Sequence, residues 1–225
     1  MNKRIILLVA LLFGLVMQFF GALGYFVLYP GTSVAYGLYV ATKVLLVILP
    51  LYFLRDVGVW WKTFFSWDKS PVQHGFLWGG ILGFVVWLTF FVFQTEFLLV
   101  KETIVDKVSA YRIQAFFIPF ALFVSIIHSG IEEYYWRGFV FGGLKKYLSV
   151  PYAMTVSSLA FASHHFLIVN EFFSVLVSLG LTAAVMVGGL VWCYLYQRTG
   201  KLVASWLSHA IIDGVILGIV YFYFL

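Results

Sequence analysis

One stretch of the chain, Gly130-Ile-Glu-Glu-Tyr-Tyr-Trp-Arg-Gly-Phe-Val140, places charged side chains inside an otherwise apolar helical segment. Its charges are Glu132, Glu133 and Arg137. Charged side chains at membrane depth are costly, and they usually face the protein interior, where they do chemistry or relay protons or ions. Two later segments, 161–165 (Phe-Ala-Ser-His-His) and 209–213 (His-Ala-Ile-Ile-Asp), carry further polar groups in equally apolar surroundings. We therefore expect the three segments to meet in one intramembrane site.

The composition indicates a polytopic membrane protein. Of the 225 residues, 63% are hydrophobic and only 10% are charged, and the mean hydropathy is +1.01, whereas a soluble domain has about 25% charged residues. The formal net charge is +5, but the basic residues are scattered singly or in pairs at segment ends, which argues against a nucleic-acid partner. Cys193 is the single cysteine, so an intrachain disulfide is excluded.

Seven apolar runs predict an all-α bundle of about seven transmembrane helices. They lie at about 5–28, 34–54, 75–100, 113–147, 151–169, 172–196 and 202–225, and roughly 20 apolar residues cross a bilayer. The first run is too long for a signal peptide and is predicted to be retained. Residues 55–74, with Trp60, Trp61 and Trp67, are predicted to be an interfacial loop, and 101–112 a solvated loop. Lys43, inside the second run, is either a functional cation or a residue that snorkels or faces a neighbouring helix, and we favour the latter.

The basic residues orient the bundle with its N-terminus in the cytoplasm. With that orientation the inside segments hold ten Lys and Arg residues and the outside segments hold three, as the positive-inside rule requires. The inside ten are Lys3, Arg4, Arg55, Lys62, Lys69, Arg137, Lys145, Lys146, Arg198 and Lys201. No internal repeat or linker divides the chain. We therefore predict a single transmembrane domain over 1–225.

Helical spacing predicts which polar groups of the fourth helix share a face. Residues four apart are neighbours on a helix surface, so Glu133 and Arg137 are expected to form an ion pair. His128 and Glu132 share a different face, about 100° round the helix. The Glu133–Arg137 pair alone could be a paired charge near the interface. Glu132 has no cation at helical spacing and is the stronger functional candidate.

The fifth and seventh helices supply the remaining candidates. If the fourth and fifth helices form a regular hairpin that turns near Ser149, Glu132 and His165 lie at similar depth and can share a water molecule. His164 points about 100° away from His165, and we assign it to hydrogen bonding between helices. His209 and Asp213 are four residues apart and lie on one face of the seventh helix.

These residue types fit the hydrolysis of a peptide bond. Glu132 is the candidate general base that takes a proton from water, with His165 holding that water. His209, oriented by Asp213, can donate a hydrogen bond to the oxyanion. The motifs GxSxG and HExxH are absent. Glu132, His165 and His209 would equally satisfy a zinc site with two histidines, one carboxylate and an open position, so the residues leave metal-free and metal-assisted mechanisms open.

The three motifs together, EExxxR at 132–137, FxxxH at 161–165 and HxxxD at 209–213, resemble those of the CPBP family. This family contains CAAX prenyl proteases and bacteriocin-processing enzymes and is also called the Abi family. The resemblance covers about 125–214, within a site-bearing core at about 113–225. It implies an intramembrane endopeptidase in which Glu132 and His165 activate water, Glu133 and Arg137 support them, and His209 with Asp213 forms the oxyanion site. Asp213 stands where many members have Asn, and because an ionised aspartate cannot donate a hydrogen bond, it either orients His209 or stays protonated.

The resemblance also implies a substrate class and a location. The short chain and simple loops are similar to bacterial members, which implies a plasma-membrane protein that cleaves a membrane-associated or secreted peptide precursor. We assign no cofactor and favour metal-free glutamate catalysis. The alternative is a divalent metal such as zinc on Glu132, His165 and His209. Other functions remain open: a non-catalytic membrane scaffold or bacteriocin self-immunity protein of the same fold, and a proton-coupled transporter, against which the chain shows no inverted repeats.

Overall fold

The computed structural model describes residues 2–57, 67–110 and 112–225, and the side chains of all of these except 54–57. Within these residues it contains nine helices and no strand. Seven helices are long and apolar enough to cross a membrane, which confirms the predicted number of spans. The helices are α1 (Lys3–Leu28), α2 (Ser33–Val57), α3 (Lys69–Val92), α4 (Gln94–Leu98), α5 (Lys101–Ala110), α6 (Gln114–Leu144), α7 (Val150–Val169), α8 (Val175–Thr199) and α9 (Leu202–Phe224).

Two predicted loops differ from the structure. The charged stretch that was predicted to be a solvated loop forms α5. Glu102 lies in its first turn and Lys107 in its last, but Lys101 and Asp106 stand beside them with the opposite charge, so the helix dipole does not favour this helix on balance. The ion pair of Lys107 with Glu171 ties the helix to the turn before α8. The interfacial loop predicted at 55–74 is helical up to Val57 and again from Lys69, while residues 58–66 lie outside the described part of the chain.

The central helix, α6, is irregular along its length. Two π-helical segments, Phe123–His128 and Tyr134–Phe141, flank a regular α-helical turn at Ser129–Glu133. Such wide turns are rare and occur frequently at functional sites. The helix passes through Gly142-Gly143 without the break that the sequence allowed. Its C-terminal half is the core of the bundle, because the side chains at 135–137 and 139–141 are fully buried.

Hydrogen bonds between a side chain and a backbone carbonyl join α6 to three neighbouring helices, and in two of them the neighbour donates to α6. The hydroxyl of Tyr135 bonds in the other direction, to the carbonyl of Gly14 in α1 at 2.8 Å. Ser157 of α7 donates to the carbonyl of Trp136 at 3.3 Å, and Trp206 Nε1 of α9 donates to the carbonyl of Ile126 at 2.8 Å. Of these contacts, those from α7 and α9 fix the depth of the two helices that carry the predicted histidines.

Small residues bring the helices around the site close together. Gly75, Gly79 and Gly83 of α3 face α9, and a Cβ added at Gly79 would lie 2.6 Å from Ile211 Cδ1. Gly189 of α8 faces α7 in the same way, with an added Cβ 3.0 Å from Ser158 Cβ. Because these contacts leave no room for a side chain, they set how closely α9 and α7 approach the centre of the bundle.

Candidate active site

Glu133 is the point at which α6 and α9 are joined. Its side chain is fully buried, and its Oε1 atom accepts hydrogen bonds from Arg137 Nη1 and from His209 Nδ1, both at 2.8 Å. The ion pair predicted from the four-residue spacing is confirmed. The bond to His209 was not predicted, because a spacing of 76 residues carries no helical signal.

Arg137 is enclosed by two aromatic rings and a backbone carbonyl. Its Cζ atom lies 4.6 Å from the ring centroid of Phe161 and 4.8 Å from that of Trp192, and cations are attracted to such ring faces. Its Nη2 atom donates to the carbonyl of Gly189 at 3.4 Å. Phe161, the first residue of the second motif, therefore packs against Arg137, the last residue of the first motif.

Glu132 faces three imidazoles. Its Oε1 atom lies 4.0 Å from Nε2 of His128 and 3.9 Å from Nε2 of His164, and its Oε2 atom lies 3.9 Å from Nε2 of His209. These distances are too long for direct hydrogen bonds, but a single water molecule can bridge groups so placed. Glu132 is only 4% exposed. The three polar segments thus meet in one buried site, as the sequence predicted.

The two adjacent histidines of α7 occupy different environments. His164 is the one with a nitrogen near Glu132, and its ring also lies parallel to that of Trp136 at 5.9 Å. Among the described contacts, no His165 nitrogen comes within 4.0 Å of a Glu132 oxygen; His165 Nδ1 instead bonds the carbonyl of Phe161 at 2.9 Å. The prediction that His165 rather than His164 faces Glu132 therefore does not match the geometry. The rotation of α7, fixed where Ser157 and Phe161 pack on α6, turns His164 inward.

His209 is oriented by Glu133 and Trp192. Its ring is stacked on that of Trp192 at 3.9 Å, and Trp192 Nε1 donates to Ser208 at 3.1 Å. Asp213 was expected to orient His209, but its Oδ1 atom is 3.7 Å from His209 Nε2, beyond hydrogen-bonding distance. Because Nδ1 is bound to Glu133, the Nε2 atom is the one presented to Glu132 and Asp213.

Lys43 borders the site, and it contacts a neighbouring helix, which is one of the options predicted for it. Its Nζ atom lies 3.0 Å from His128 Nε2, so α2 also contributes to the surroundings of Glu132. The feature of the sequence that points to Lys43 is a charged residue inside an apolar span. Trp192 and Gly189 carried no such signal, since an aromatic residue and a glycine are ordinary in a membrane helix.

The predicted zinc ligands do not form a metal site in this arrangement. In the part of the chain that the structure describes, no group of three or more His, Cys, Asp or Glu side chains is placed so that it could hold a metal ion. Glu132 and His209 approach each other, but among the described contacts no nitrogen of His165, the third predicted ligand, comes within 4.0 Å of a Glu132 oxygen. We therefore derive no step that passes through a metal.

Comparison with known proteins identifies the part of the chain that carries the site. Residues 114–215, just under half of the chain, match the family model described as type II CAAX prenyl endopeptidase Rce1-like. No curated protein and no solved structure matches the chain. The matched range contains all three motifs, whereas Lys43 lies outside it. The match supports an intramembrane protease and confirms the resemblance drawn from the motifs: over residues 114–215 this membrane protein matches the Rce1-like CAAX protease family.

Proposed function

We propose that the chain is an intramembrane endopeptidase in which the carboxylate of Glu132 activates a water molecule for attack on a peptide bond. The observation that carries the proposal is the placement of a buried carboxylate 3.9–4.0 Å from imidazole nitrogens of α6, α7 and α9. A water molecule bound between these groups would be held by hydrogen bonds on several sides, which orients it for attack.

In the first step Glu132 accepts a proton from this water as the oxygen attacks the carbonyl carbon. The carbonyl oxygen becomes an oxyanion, and His209 Nε2 is the proposed donor to it. This role requires a proton on both ring nitrogens. The Glu133 carboxylate favours that state, because it accepts the Nδ1 hydrogen bond at 2.8 Å. In the second step Glu132 returns its proton to the leaving amine, and the peptide bond breaks.

Glu133 is proposed to position other groups and not to act as the base. Its Oε1 atom already accepts two hydrogen bonds at 2.8 Å, from Arg137 and His209. By contrast, the nearest described imidazole nitrogens lie 3.9–4.0 Å from the oxygens of Glu132, which leaves room for a water molecule beside Glu132. Arg137 in turn balances the charge of Glu133 within the buried core.

The histidines of α7 are proposed to hold the water. His164 Nε2 lies nearest to Glu132 Oε1. His165, if it donates from Nδ1 to the Phe161 carbonyl, presents Nε2 as a hydrogen-bond acceptor, and this is the role that we propose for it. Asp213, next to His209 Nε2, is proposed to stabilise the doubly protonated ring by its charge.

The proposed substrate is a membrane-associated or secreted peptide precursor, and the proposed mechanism is metal-free. The proposed location is the bacterial plasma membrane, with the N-terminus in the cytoplasm. Its support is the excess of basic residues on one side, which is nine against three once Arg137, buried inside a span, is left out. The seven apolar helices support the bilayer setting.

The test compares new protein termini in membranes of cells that express wild type, Glu132→Gln or Glu171→Gln at matched levels. Glu171 is a matched control, because it forms an ion pair with Lys107 near the surface, away from the site. We expect specific termini to be lost with Glu132→Gln alone, since the amide cannot accept the proton. Termini that persist in the Glu132→Gln membranes, while that variant keeps the wild-type phenotype, would instead favour a non-catalytic scaffold or self-immunity protein.

A further inference from the structure

Trp192 brings a fourth helix to the candidate active site. The three motifs lie on α6, α7 and α9, whereas Trp192 lies on α8 and belongs to none of them. Its side chain is only 4% exposed, so it faces the interior of the bundle and not the lipid. The contacts of this ring indicate a role in the reaction that the motifs do not assign.

The indole of Trp192 is held by contacts from three helices. Its Nε1 atom donates to Ser208 Oγ at 3.1 Å, and Ser208 directly precedes His209 in α9. Arg137 Cζ of α6 lies 4.8 Å from the centroid of the ring. The Phe161 ring of α7 stands at 79° to the indole, with 5.8 Å between the centroids. The indole is thereby fixed relative to all three motif helices.

The hydrogen bond to Glu133 holds one atom of the His209 ring. It joins His209 Nδ1 to Glu133 Oε1 at 2.8 Å, and the ring could still tilt about that atom, because the χ2 angle of a histidine has broad minima. Such a tilt would move Nε2, which lies on the other side of the ring. The Trp192 ring restricts it, since its centroid is 3.9 Å from that of the imidazole and the two planes differ by only 18°.

We propose that Trp192 is a positioning residue of the peptidase reaction, whose indole face holds the His209 ring so that Nε2 points at the oxyanion. The inference rests on the proposed function, in which His209 Nε2 donates to that oxygen. Such a donor stabilises the transition state most when it is already in place before the reaction. An indole face also attracts positive charge, which suits a ring that carries a proton on both nitrogens. The flat aromatic face is therefore the feature that the site requires at residue 192.

The first experiment is a double-mutant cycle of Trp192→Met and His209→Gln. Purified variants in liposomes, in excess over the peptide that the comparison of termini identifies, give the rate constant and the half-saturating concentration separately. Trp192→Met should lower the rate constant about tenfold, less than the factor of about 10²–10³ that an oxyanion donor itself is worth. The half-saturating concentration should not change, because Trp192 acts through His209 and not on the peptide. In the His209→Gln background, Trp192→Met should have little further effect, since two residues that act as a unit are not additive.

Two variants separate the aromatic face from the hydrogen bond. Trp192→Phe keeps a flat face and removes the donor, and Ser208→Ala keeps the indole and removes its acceptor. Both should cleave at close to the wild-type rate. Trp78→Met is the matched control for loss of an indole elsewhere. Trp78 of α3 packs at 72° to Tyr194 of α8, with 6.4 Å between the ring centroids, and its replacement should leave the rate constant unchanged.

Nuclear magnetic resonance tests the stack without turnover. In protein with labelled histidine and tryptophan rings, the His209 ring protons should show Overhauser contacts with the Trp192 ring and an upfield shift from its ring current. Both signals should be lost in Trp192→Met and kept in Ser208→Ala. The wild type alone provides this readout if Trp192→Met fails to fold.

Three results would overturn the inference. Absence of the Overhauser contacts in the wild type would show that the stack does not form. A folded Trp192→Met protein that cleaves at the wild-type rate, or is slowed equally with and without His209, would show that Trp192 does not act through His209. A Trp192→Phe or Ser208→Ala protein as slow as Trp192→Met would show that the hydrogen bond matters and the face does not. Failure of the proposed function gives a different pattern: the wild type cleaves no peptide, although the Overhauser contacts persist.

Discussion

Replacement of Glu133 by leucine tests whether the buried ion pair holds α6 and α9 together. In the wild type, one carboxylate oxygen accepts hydrogen bonds from Arg137 and His209 at 2.8 Å, and all three side chains are at most 5% exposed. Leucine removes both acceptors. The guanidinium of Arg137 then remains in the core with only the Phe161 and Trp192 ring faces and the Gly189 carbonyl as partners.

The expected loss of stability follows from these contacts. A hydrogen bond to a charged group contributes about 1.5–3 kcal/mol, and removal of one partner of a buried ion pair costs about 3–5 kcal/mol because the other charge is stranded. We therefore expect the free energy of unfolding to fall by about 4 kcal/mol, roughly a thousandfold in the unfolding equilibrium constant.

The assay is reversible unfolding by SDS in mixed micelles, followed by tryptophan fluorescence, with Glu171→Leu as the matched control. Glu171 pairs with Lys107, but their side chains are 28% and 31% exposed, and an exposed pair is worth at most about 1 kcal/mol. The double variant Glu133→Leu/Arg137→Met should recover part of the loss, because apolar residues of similar size can replace a buried ion pair without stranding a charge. A Glu133→Leu loss no larger than that of Glu171→Leu, or no recovery in the double variant, would refute this reasoning.

Two further predictions use the same unfolding assay. Gly79→Leu should lower the free energy of unfolding by about 2 kcal/mol or more, because an added Cβ lies 2.6 Å from Ile211 Cδ1; its control, Gly80→Leu, meets nothing within 4 Å and should change it by less than about 0.5 kcal/mol. Equal losses would contradict the close packing of α3 on α9. Trp192→Phe should cost about 1 kcal/mol because it removes the donor to Ser208, and an unchanged unfolding curve would show that this bond contributes nothing.

Contacts within one helix could be predicted from the sequence. The apolar runs gave the seven spans, because span length follows from bilayer thickness. The Glu133–Arg137 pair followed from a four-residue spacing, which fixes the relative direction of two side chains on any regular helix. The solvated loop predicted at 101–112 was wrong because a high content of charged residues does not exclude a helix, and the contact of Lys107 with Glu171, 64 residues away, leaves no signal in the sequence.

Contacts between helices could not be predicted, because they depend on how each helix is rotated about its axis. A rotation of 100° exchanges His164 for His165 at the same depth, and only the packing of α7 on α6 decides between them. The approach of Lys43 to His128, 85 residues away in sequence, depends on the placement of α2. These interhelical contacts determine the surroundings of Glu132, so the sequence identified the residues of the site better than their arrangement.

The most direct test of the central claim is hydrolysis by purified protein in liposomes. The substrate is the peptide that the comparison of termini identifies, and wild type, Glu132→Gln and the control Glu171→Gln are measured under single-turnover conditions. Loss of a general base predicts a rate constant for Glu132→Gln that is about 10²–10⁴ times lower, with an unfolding curve like that of the wild type. A folded Glu132→Gln protein that cleaves the peptide within about tenfold of the wild-type rate would contradict the assignment of Glu132 as the base.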